Sequence, residues 1–220
     1  HIRDLNKYEG YISIGKKLPE KFIDFNKEPA LNLYLYLDSI DQNFLDLIFA
    51  ENKGMPAIEL NKLAFNIKNF QFYKNNFSNI EGMFDLMNSE VNGYLTADKL
   101  NLSLRIDKTK FMKIEINDSI ISNMSFLNSA QPASNFNINS RLIVRNSSFG
   151  KIKIKNFDAY IFNNRKNFTA NNLKLDSNLI SIKPFKNSSK AYFSINKLQP
   201  LTKVRGDFLI KDSNKIPYLG

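Results

Sequence analysis

A run of short alternating segments between Arg141 and Lys183 constrains the fold more than any other feature of the sequence. Apolar residues recur there at every second position, and lysines alternate with isoleucines in the segment 151–155. Because successive side chains of a β-strand point to opposite faces, each segment predicts a strand with one apolar and one polar face. The predicted turns between the segments consist of polar turn formers at 146–148, 163–164 and 176–178.

The same alternation continues through most of the chain and is strictest in 30–38 and 100–106. One segment departs from it. In 39–52 the apolar residues recur at three- and four-residue spacing, which predicts a short amphipathic helix over Ile40–Ala50. Gly54 would end that helix. The sequence therefore predicts an all-β fold, a strongly twisted and mostly antiparallel sheet with one or two short helices.

Glycine recurs inside several of the predicted strands. Four segments read apolar-x-Gly-x-apolar, and they are centred on Gly10, Gly82, Gly93 and Gly206. Strand glycines often mark a bulge or a bend, so this repetition is typical of a sheet that curls at intervals. The alternative interpretation is that these are ordinary strand glycines and that their repetition arose by chance.

The residue types needed for most catalytic sites are missing. The chain has 220 residues without cysteine, and its one histidine is His1, so we expect no metal site, no cofactor and no His-dependent nucleophile. No Gly-rich phosphate loop, H-E-x-x-H or G-x-S-x-G motif occurs. We therefore expect a protein that is not an enzyme. A carboxylate pair of a polysaccharide-active enzyme stays as an alternative, because sequence does not show which carboxylates meet in space.

The formal net charge of +10 allows an anionic partner. The basic residues are dispersed, however, and many occupy the polar positions of predicted strands, which indicates a solvated face. The mixture of Phe and Lys in 70–74 could stack on nucleic-acid bases, but aromatic side chains under a sheet are the commoner arrangement. We therefore expect no nucleic-acid partner.

Three segments of the second half, 136–160, 168–184 and 203–220, resemble the C-terminal region of the AsmA-like family of bridge-like lipid transfer proteins, the YhdP type in particular. An earlier copy of the pattern runs from 56–72 through 91–107. The tryptophan expected in a closing G-x-W strand is absent, and 204–208 stands in the nearest place. Under this resemblance, residues 1–220 form a single β-groove segment of a larger protein, with two repeat units at about 1–118 and 119–220.

The resemblance implies a long sheet curled lengthwise into a groove whose apolar wall carries phospholipid acyl chains through the periplasm of a Gram-negative cell. Such a conduit supports outer-membrane biogenesis and needs no catalytic group. The implied partners are phospholipid, the inner membrane through an anchoring segment upstream of the given sequence, and outer-membrane or other envelope proteins.

The predicted groove residues are the apolar positions of the alternating strands, and burial of one face should bring them to the same side of the sheet. They are Leu31, Leu33, Leu35, Leu37, Phe65, Ile67, Leu100, Leu102, Leu104, Ile106, Ile114, Ile116, Leu142, Val144, Ile152, Ile154, Leu173, Leu175, Ile180 and Ile182. A closed β-sandwich or a β-helix that acts as a binding or adhesion module would bury the same residues. Both alternatives stay open, because a groove wall and a sealed core need identical alternation.

Overall fold

The computed structural model describes residues 10–14, 31–40, 60–72, 74–87, 89–123, 138–163, 167–184, 191–196 and 201–211. Every regular element in these ranges is a β-strand, and no helix occurs among them. The all-β prediction is therefore confirmed. The chain divides into two compact units, His1–Lys99 and Leu100–Gly220. The repeat boundary near residue 118 concerns sequence similarity, and it stays a prediction.

The first unit contains five described strands that lie in the sheet in chain order. They are β1 (Gly10–Ile14), β2 (Leu31–Ile40), β3 (Leu60–Phe72), β4 (Asn75–Met87) and β5 (Glu90–Ala97). The pairs β1–β2 and β2–β3 are parallel, whereas β3–β4 and β4–β5 are antiparallel. The sheet is therefore mixed, which alternation alone does not predict, because it fixes the faces of a strand but not its direction.

The predicted helix over Ile40–Ala50 begins on residues that belong to a strand. Ser39 and Ile40 are the last residues of β2 and pair with Asn69 and Phe70 of β3. Pairing with a long neighbouring strand extends β2 beyond the point where its sequence pattern changes. The remainder of the predicted helix, 41–50, lies outside the described residues.

The second unit contains ten described strands in a mixed sheet. They are β6 (Leu100–Ile106), β7 (Met112–Asn117), β8 (Ile120–Ile121), β9 (Ile138–Phe149), β10 (Ile152–Asn163), β11 (Asn167–Ser177), β12 (Ile180–Lys183), β13 (Tyr192–Asn196), β14 (Leu201–Arg205) and β15 (Asp207–Ile210). Their order is β6-β7-β9-β10-β11-β12-β15, with β8 beside β9 and with β13 between β11 and β14. The pairs β7–β9 and β8–β9 are parallel, and the other pairs are antiparallel.

A line of backbone distortions crosses the sheet of the second unit. It lies where the sequence predicts a turn at 146–148, and that prediction is wrong. Residues 146–148 lie inside β9, and the turn follows at Gly150. Asn146 and its register neighbour Asp118 both adopt φ 47°, a left-handed conformation that Asn and Asp tolerate. In β10 a register shift against β11 falls between Ile154 and Asn156, at the same level. We call this feature the kink line.

Buried serine hydroxyls replace the backbone hydrogen bonds that the kink line interrupts. Ser119 and Ser147 follow the two left-handed residues and are 0% and 3% exposed. The Ser119 hydroxyl donates to the Asn117 carbonyl at 2.8 Å, and the Ser147 hydroxyl donates to the Arg145 carbonyl at 2.7 Å. The Ser119 backbone N–H donates to the Ser147 hydroxyl at 3.1 Å. The strand therefore continues through a sequence that is typical of a turn, because these bonds satisfy its polar groups.

Candidate functional site: two apolar sheet faces

The strand pairing of the first unit places apolar residues in rows that run from strand to strand on one face. We call this surface the first apolar face. Paired residues share a face, and three rows cross from β2 towards β5. The rows are Leu33–Leu63–Phe84–Gly93, Leu35–Phe65–Gly82–Leu95 and Leu37–Ile67–Ile80.

Two phenylalanine rings lie over glycines of the neighbouring strand on this face. A Cβ atom at Gly82 would meet the Phe65 ring at 2.3 Å, and one at Gly93 would meet the Phe84 ring at 2.5 Å. The two rings also stack on each other, with centroids 6.1 Å apart. Aromatic rings over strand glycines cover exposed backbone and pin the register. The repeated strand glycine therefore has a packing role at these two positions.

Most of the first apolar face is only half-buried. Ile80 and Ile67 are 2% and 8% exposed, but Leu33, Leu35 and Phe65 keep intermediate exposure. The opposite face is closed at its centre by Tyr34 and Ala64, which pack with Tyr36 and Met83. Burial raises the pKa of the Tyr34 hydroxyl. The apolar side chains of the first unit are thus spread over both faces, and the more uniformly apolar face is the one left partly open.

The second unit has a longer apolar row on one face, which we call the second apolar face. Six residues pair in succession from β6 to β12, and two further rows run beside them. The rows are Leu102–Ile116–Val144–Phe157–Leu175–Ile182, Leu104–Ile114–Leu142–Ala159 and Ile106–Met112–Ser140–Ile161–Ala170–Phe193.

One part of the second apolar face is a small closed core, and the rest is half-buried. Ala159, Ala170, Leu173 and Ala191 are buried together, and Phe157 packs against them. Val144 is 3% exposed. The remaining row members from the predicted groove keep intermediate exposure, and they are Leu102, Leu104, Ile106, Ile114, Ile116, Leu142, Leu175 and Ile182.

The other predicted groove residues occupy less regular places. Ile154 pairs with Ser147 beyond the kink line, and Ile152 pairs with Phe149 and is 41% exposed. Ile180 pairs with Ile210 of β15, and Leu100 begins β6 with intermediate exposure. Leu31 is the first residue of β2, and its side chain is not among the described ones. The leucines of 31–37 belong to the first unit, and the apolar residues of 100–106 belong to the second. That these two sets lie on the same side of the sheet stays a prediction.

Several members of the rows were not predicted from the sequence. Phe157, Ala159 and Ile161 alternate at every second position, as groove residues should. The register shift beside Lys155 and Asn156 breaks the alternation that starts at Ile152, and this interruption hides them. Ile80 and Phe84 were not predicted as groove residues because Gly82, which is not a large apolar residue, interrupts the alternation between them.

The opposite face of the second unit carries ion pairs. Arg141 donates two hydrogen bonds to Asp158, from Nε to Oδ1 at 2.9 Å and from Nη2 to Oδ2 at 2.8 Å. Its guanidinium also lies 5.3 Å from the centroid of the Tyr160 ring. Glu115 forms ion pairs with Lys113 and Arg145, and hydrogen bonding to Lys113 lowers the pKa of its carboxyl. Ile143 lies between Glu115 and Asp158 in the register and is 4% exposed. This face is therefore charged and partly buried, in contrast to the half-buried apolar face behind it.

The Arg141–Asp158 pair should make part of the stability depend on pH. Hydrogen bonds from Arg141 lower the pKa of Asp158, although burial of the carboxyl opposes the shift. The pair therefore stabilises the fold above the unfolded-state pKa of about 4, and that stabilisation is lost as pH falls through the folded-state pKa. We expect Asp158→Asn to lower the free energy of unfolding by about 1 kcal/mol at neutral pH. The difference from the parent should shrink below about pH 4.

Urea unfolding of both proteins from neutral to acid pH measures that difference. Asp118→Asn is the control, because Asp118 is exposed and forms no ion pair with a described residue. This variant removes a carboxylate without removing an ion pair to a described residue. If the difference in free energy of unfolding between the parent and Asp158→Asn stays constant down to pH values well below about 4, the ion pair does not cause that difference.

No metal site is present in the described ranges. No three Asp, Glu, His or Cys side chains among them come together in a way that could hold a metal ion. A depression of about 660 Å³ in the first unit is lined by Phe70, Phe77, Ile40 and polar residues, without a charged group. The described part of the chain contains no helix that is long and apolar enough to cross a membrane.

Comparison of the chain with protein-family models, with curated proteins and with solved structures finds no match.

Proposed function

We propose that the protein carries lipid, and that the two apolar faces hold phospholipid acyl chains. The observation that carries this proposal is that most side chains of the long apolar rows are only half-buried. In a sealed sandwich the inner-face leucines would be buried to the degree of Val144, because interiors are close-packed. Leu102, Leu104 and Ile114 of the same face keep intermediate exposure instead.

The dimensions of the second apolar face suit an acyl chain. Its longest row crosses six strands, which spans roughly 24 Å at a strand separation of about 4.8 Å. One leaflet of a bilayer is about 15 Å thick in its hydrocarbon part. A phospholipid tail laid along this row would contact apolar side chains over its whole length. Each methylene removed from water contributes about 0.8 kcal/mol, so binding needs no catalytic or charged group.

The cellular role in the proposal comes from the resemblance to AsmA-like proteins. We propose a segment of a periplasmic bridge between the inner and outer membranes, anchored through another part of a longer protein. The segments 136–160 and 168–184, which carry part of the resemblance, cover β9, most of β10 and most of β11, and hence the middle of the longest row of the second apolar face. The sequence pattern that suggests the family and the surface that would hold lipid therefore overlap.

Lipid extraction tests the proposal directly. We expect protein purified without detergent to retain phospholipid, which organic extraction followed by mass spectrometry would identify and count per chain. A protein of similar size carried through the same purification is the control for lipid that adheres nonspecifically. Absence of phospholipid above that control, together with failure to take up lipid from vesicles, would contradict a lipid-carrying function and favour a closed module.

A further inference from the structure

The strand ends beyond the kink line form a distinct margin of the second unit. This margin consists of 119–121, 149–153, 177–180 and 209–211, which are the ends of β8, the β9–β10 and β11–β12 turns, and the end of β15. The kink line separates it from the rows of the second apolar face. We call it the kinked margin.

Hydrogen bonds within the protein close the backbone at the turns of the kinked margin. The Gly150 N–H donates to the Ile121 carbonyl at 2.8 Å, and the Asn178 N–H donates to the Lys153 carbonyl at 2.9 Å. Asn178 also bonds back through its side chain, since its Oδ1 accepts from the Lys153 N–H at 2.8 Å and its Nδ2 donates to the Lys151 carbonyl at 3.2 Å. The Lys211 N–H donates to the Leu179 carbonyl at 2.8 Å. A segment whose polar groups are satisfied in this way can leave water at low cost.

Large apolar side chains are exposed at the kinked margin on both faces of the sheet. Ile120, Ile152 and Ile210 are 49%, 41% and 46% exposed, and Leu209 is 62% exposed. Ile120 lies in the register row of Ser148 and Lys153, so it points to the face opposite Ile152. Leu209 and Ile210 are consecutive in β15 and also point to opposite faces. A partner that covers one face, such as another sheet, would leave half of these side chains in water.

Positive charge accompanies these apolar side chains. Lys151, Lys153 and Lys155 are exposed and form no ion pair with a described residue, whereas Lys211 is paired with Asp176. The nearest carboxylate in the register is Asp176, which pairs with Asn156 beside Lys155 and forms its ion pair with Lys211. The asymmetry extends over the sequence. Residues 100–220 contain 20 Lys and Arg against 7 Asp and Glu, a charge of +13, whereas 1–99 contain 11 against 14, a charge of −3.

We propose that the kinked margin docks on a bilayer that contains anionic phospholipid, with Ile120 and Ile152 in the interfacial region and Lys151 and Lys153 at the lipid phosphates. A bilayer interface surrounds an inserted tip, and so it covers apolar side chains on both faces. Lysine stems extend along such a tip and keep their ammonium groups at the headgroups. A nucleic acid would satisfy the lysines but not the aliphatic side chains, which offer no ring for base stacking.

This docking goes beyond the carriage of acyl chains, because it uses the margin and neither apolar face. Its outcome is therefore independent of lipid extraction. The protein could retain phospholipid through purification without binding to vesicles, or it could bind to vesicles without retaining phospholipid.

The absence of tryptophan from the chain allows a clean fluorescence test. We would introduce Ile152→Trp and, as its matched control, Phe162→Trp. Phe162 is 42% exposed near the other end of β10. Vesicles of phosphatidylcholine and phosphatidylglycerol should shift the emission of Ile152→Trp to the blue and leave Phe162→Trp unchanged. Equal shifts in both variants, or no shift in Ile152→Trp, would overturn the proposal.

A charge-reversal pair tests the contribution of the lysines. Lys151→Glu with Lys153→Glu should weaken binding to these vesicles roughly tenfold or more in flotation, since each cation near an anionic surface contributes. The control is Lys108→Glu with Lys110→Glu, which reverses two exposed lysines of the β6–β7 turn and should have a smaller effect. Binding should fall at high salt and be weak on phosphatidylcholine alone. Equal loss in both lysine pairs, or unchanged binding on phosphatidylcholine alone, would refute docking at the kinked margin.

Discussion

We expect Gly93→Ala to lower the free energy of unfolding by about 1–3 kcal/mol or more, because the new methyl group has no space. A Cβ atom at Gly93 would lie 2.3 Å from the Met83 carbonyl oxygen and 2.8 Å from the Phe84 Cα atom. Both are backbone atoms of β4, so the two strands would have to separate. Denaturant unfolding of parent and variant measures the loss, and a difference below about 0.5 kcal/mol would contradict the close packing.

Gly82→Ala provides the contrast that identifies the cause. The three atoms nearest to a Cβ atom at Gly82 would be ring atoms of Phe65, at 2.3–2.9 Å. Adding Phe65→Ala should therefore relieve much of the Gly82→Ala strain. Adding Phe84→Ala to Gly93→Ala should relieve less, because the Met83 carbonyl remains in place. A double-mutant cycle gives both coupling energies. Equal coupling in the two pairs would mean that ring displacement, rather than backbone contact, governs both positions.

The strands and the faces of their side chains could be predicted from sequence because alternation is a local property. Leu33, Leu35 and Leu37 share a face for the same reason that they alternate with Asn32, Tyr34 and Tyr36. The order and direction of strands are not local. The parallel pairs β1–β2, β2–β3 and β7–β9 join segments that are separated by long stretches of chain, and nothing in a strand's own pattern names its neighbour.

The kink line could not be predicted because its residue types are those of a turn. Asn146-Ser147-Ser148 and Asp118-Ser119 favour turns in isolation. In the structure the left-handed residue bends the strand, and the serine hydroxyl restores the missing hydrogen bond, so that pairing continues. The distinction between a turn and a distorted strand depends on the neighbouring strand, which supplies the partner for the Ser119 N–H.

The candidate lipid site shows the same limit in another form. Alternation selected Leu102, Ile116 and Val144 as apolar positions, and the register joins them in one row. Alternation does not predict how much of each side chain is exposed to solvent. Val144 is buried, whereas Leu102 and Ile116 are half-buried. That difference depends on what lies above each residue, which is a property of tertiary packing and decides between a sealed core and an open surface.

Leu102→Asp should separate these two states, with a large effect on bound lipid and a small one on stability. Because Leu102 is half-buried, a carboxylate there can stay hydrated, and we expect the melting temperature to fall by only a few degrees. An acyl chain laid over the same position would have to bury that charge without a partner. We therefore expect bound phospholipid to fall about tenfold or more.

Two control variants make the comparison decisive. Asn101→Asp adds the same charge one position earlier, at an exposed residue, and should change neither stability nor bound lipid. Val144→Asp places the charge in the same row but at a site that is 3% exposed, and it should cost several kcal/mol and unfold the domain. If Leu102→Asp collapses as Val144→Asp does, the row is a sealed core, and a lipid-carrying face is refuted. If Leu102→Asp stays folded and loses lipid while Asn101→Asp retains it, the apolar row itself holds the acyl chain, because the charge, the strand and the chain length are otherwise the same.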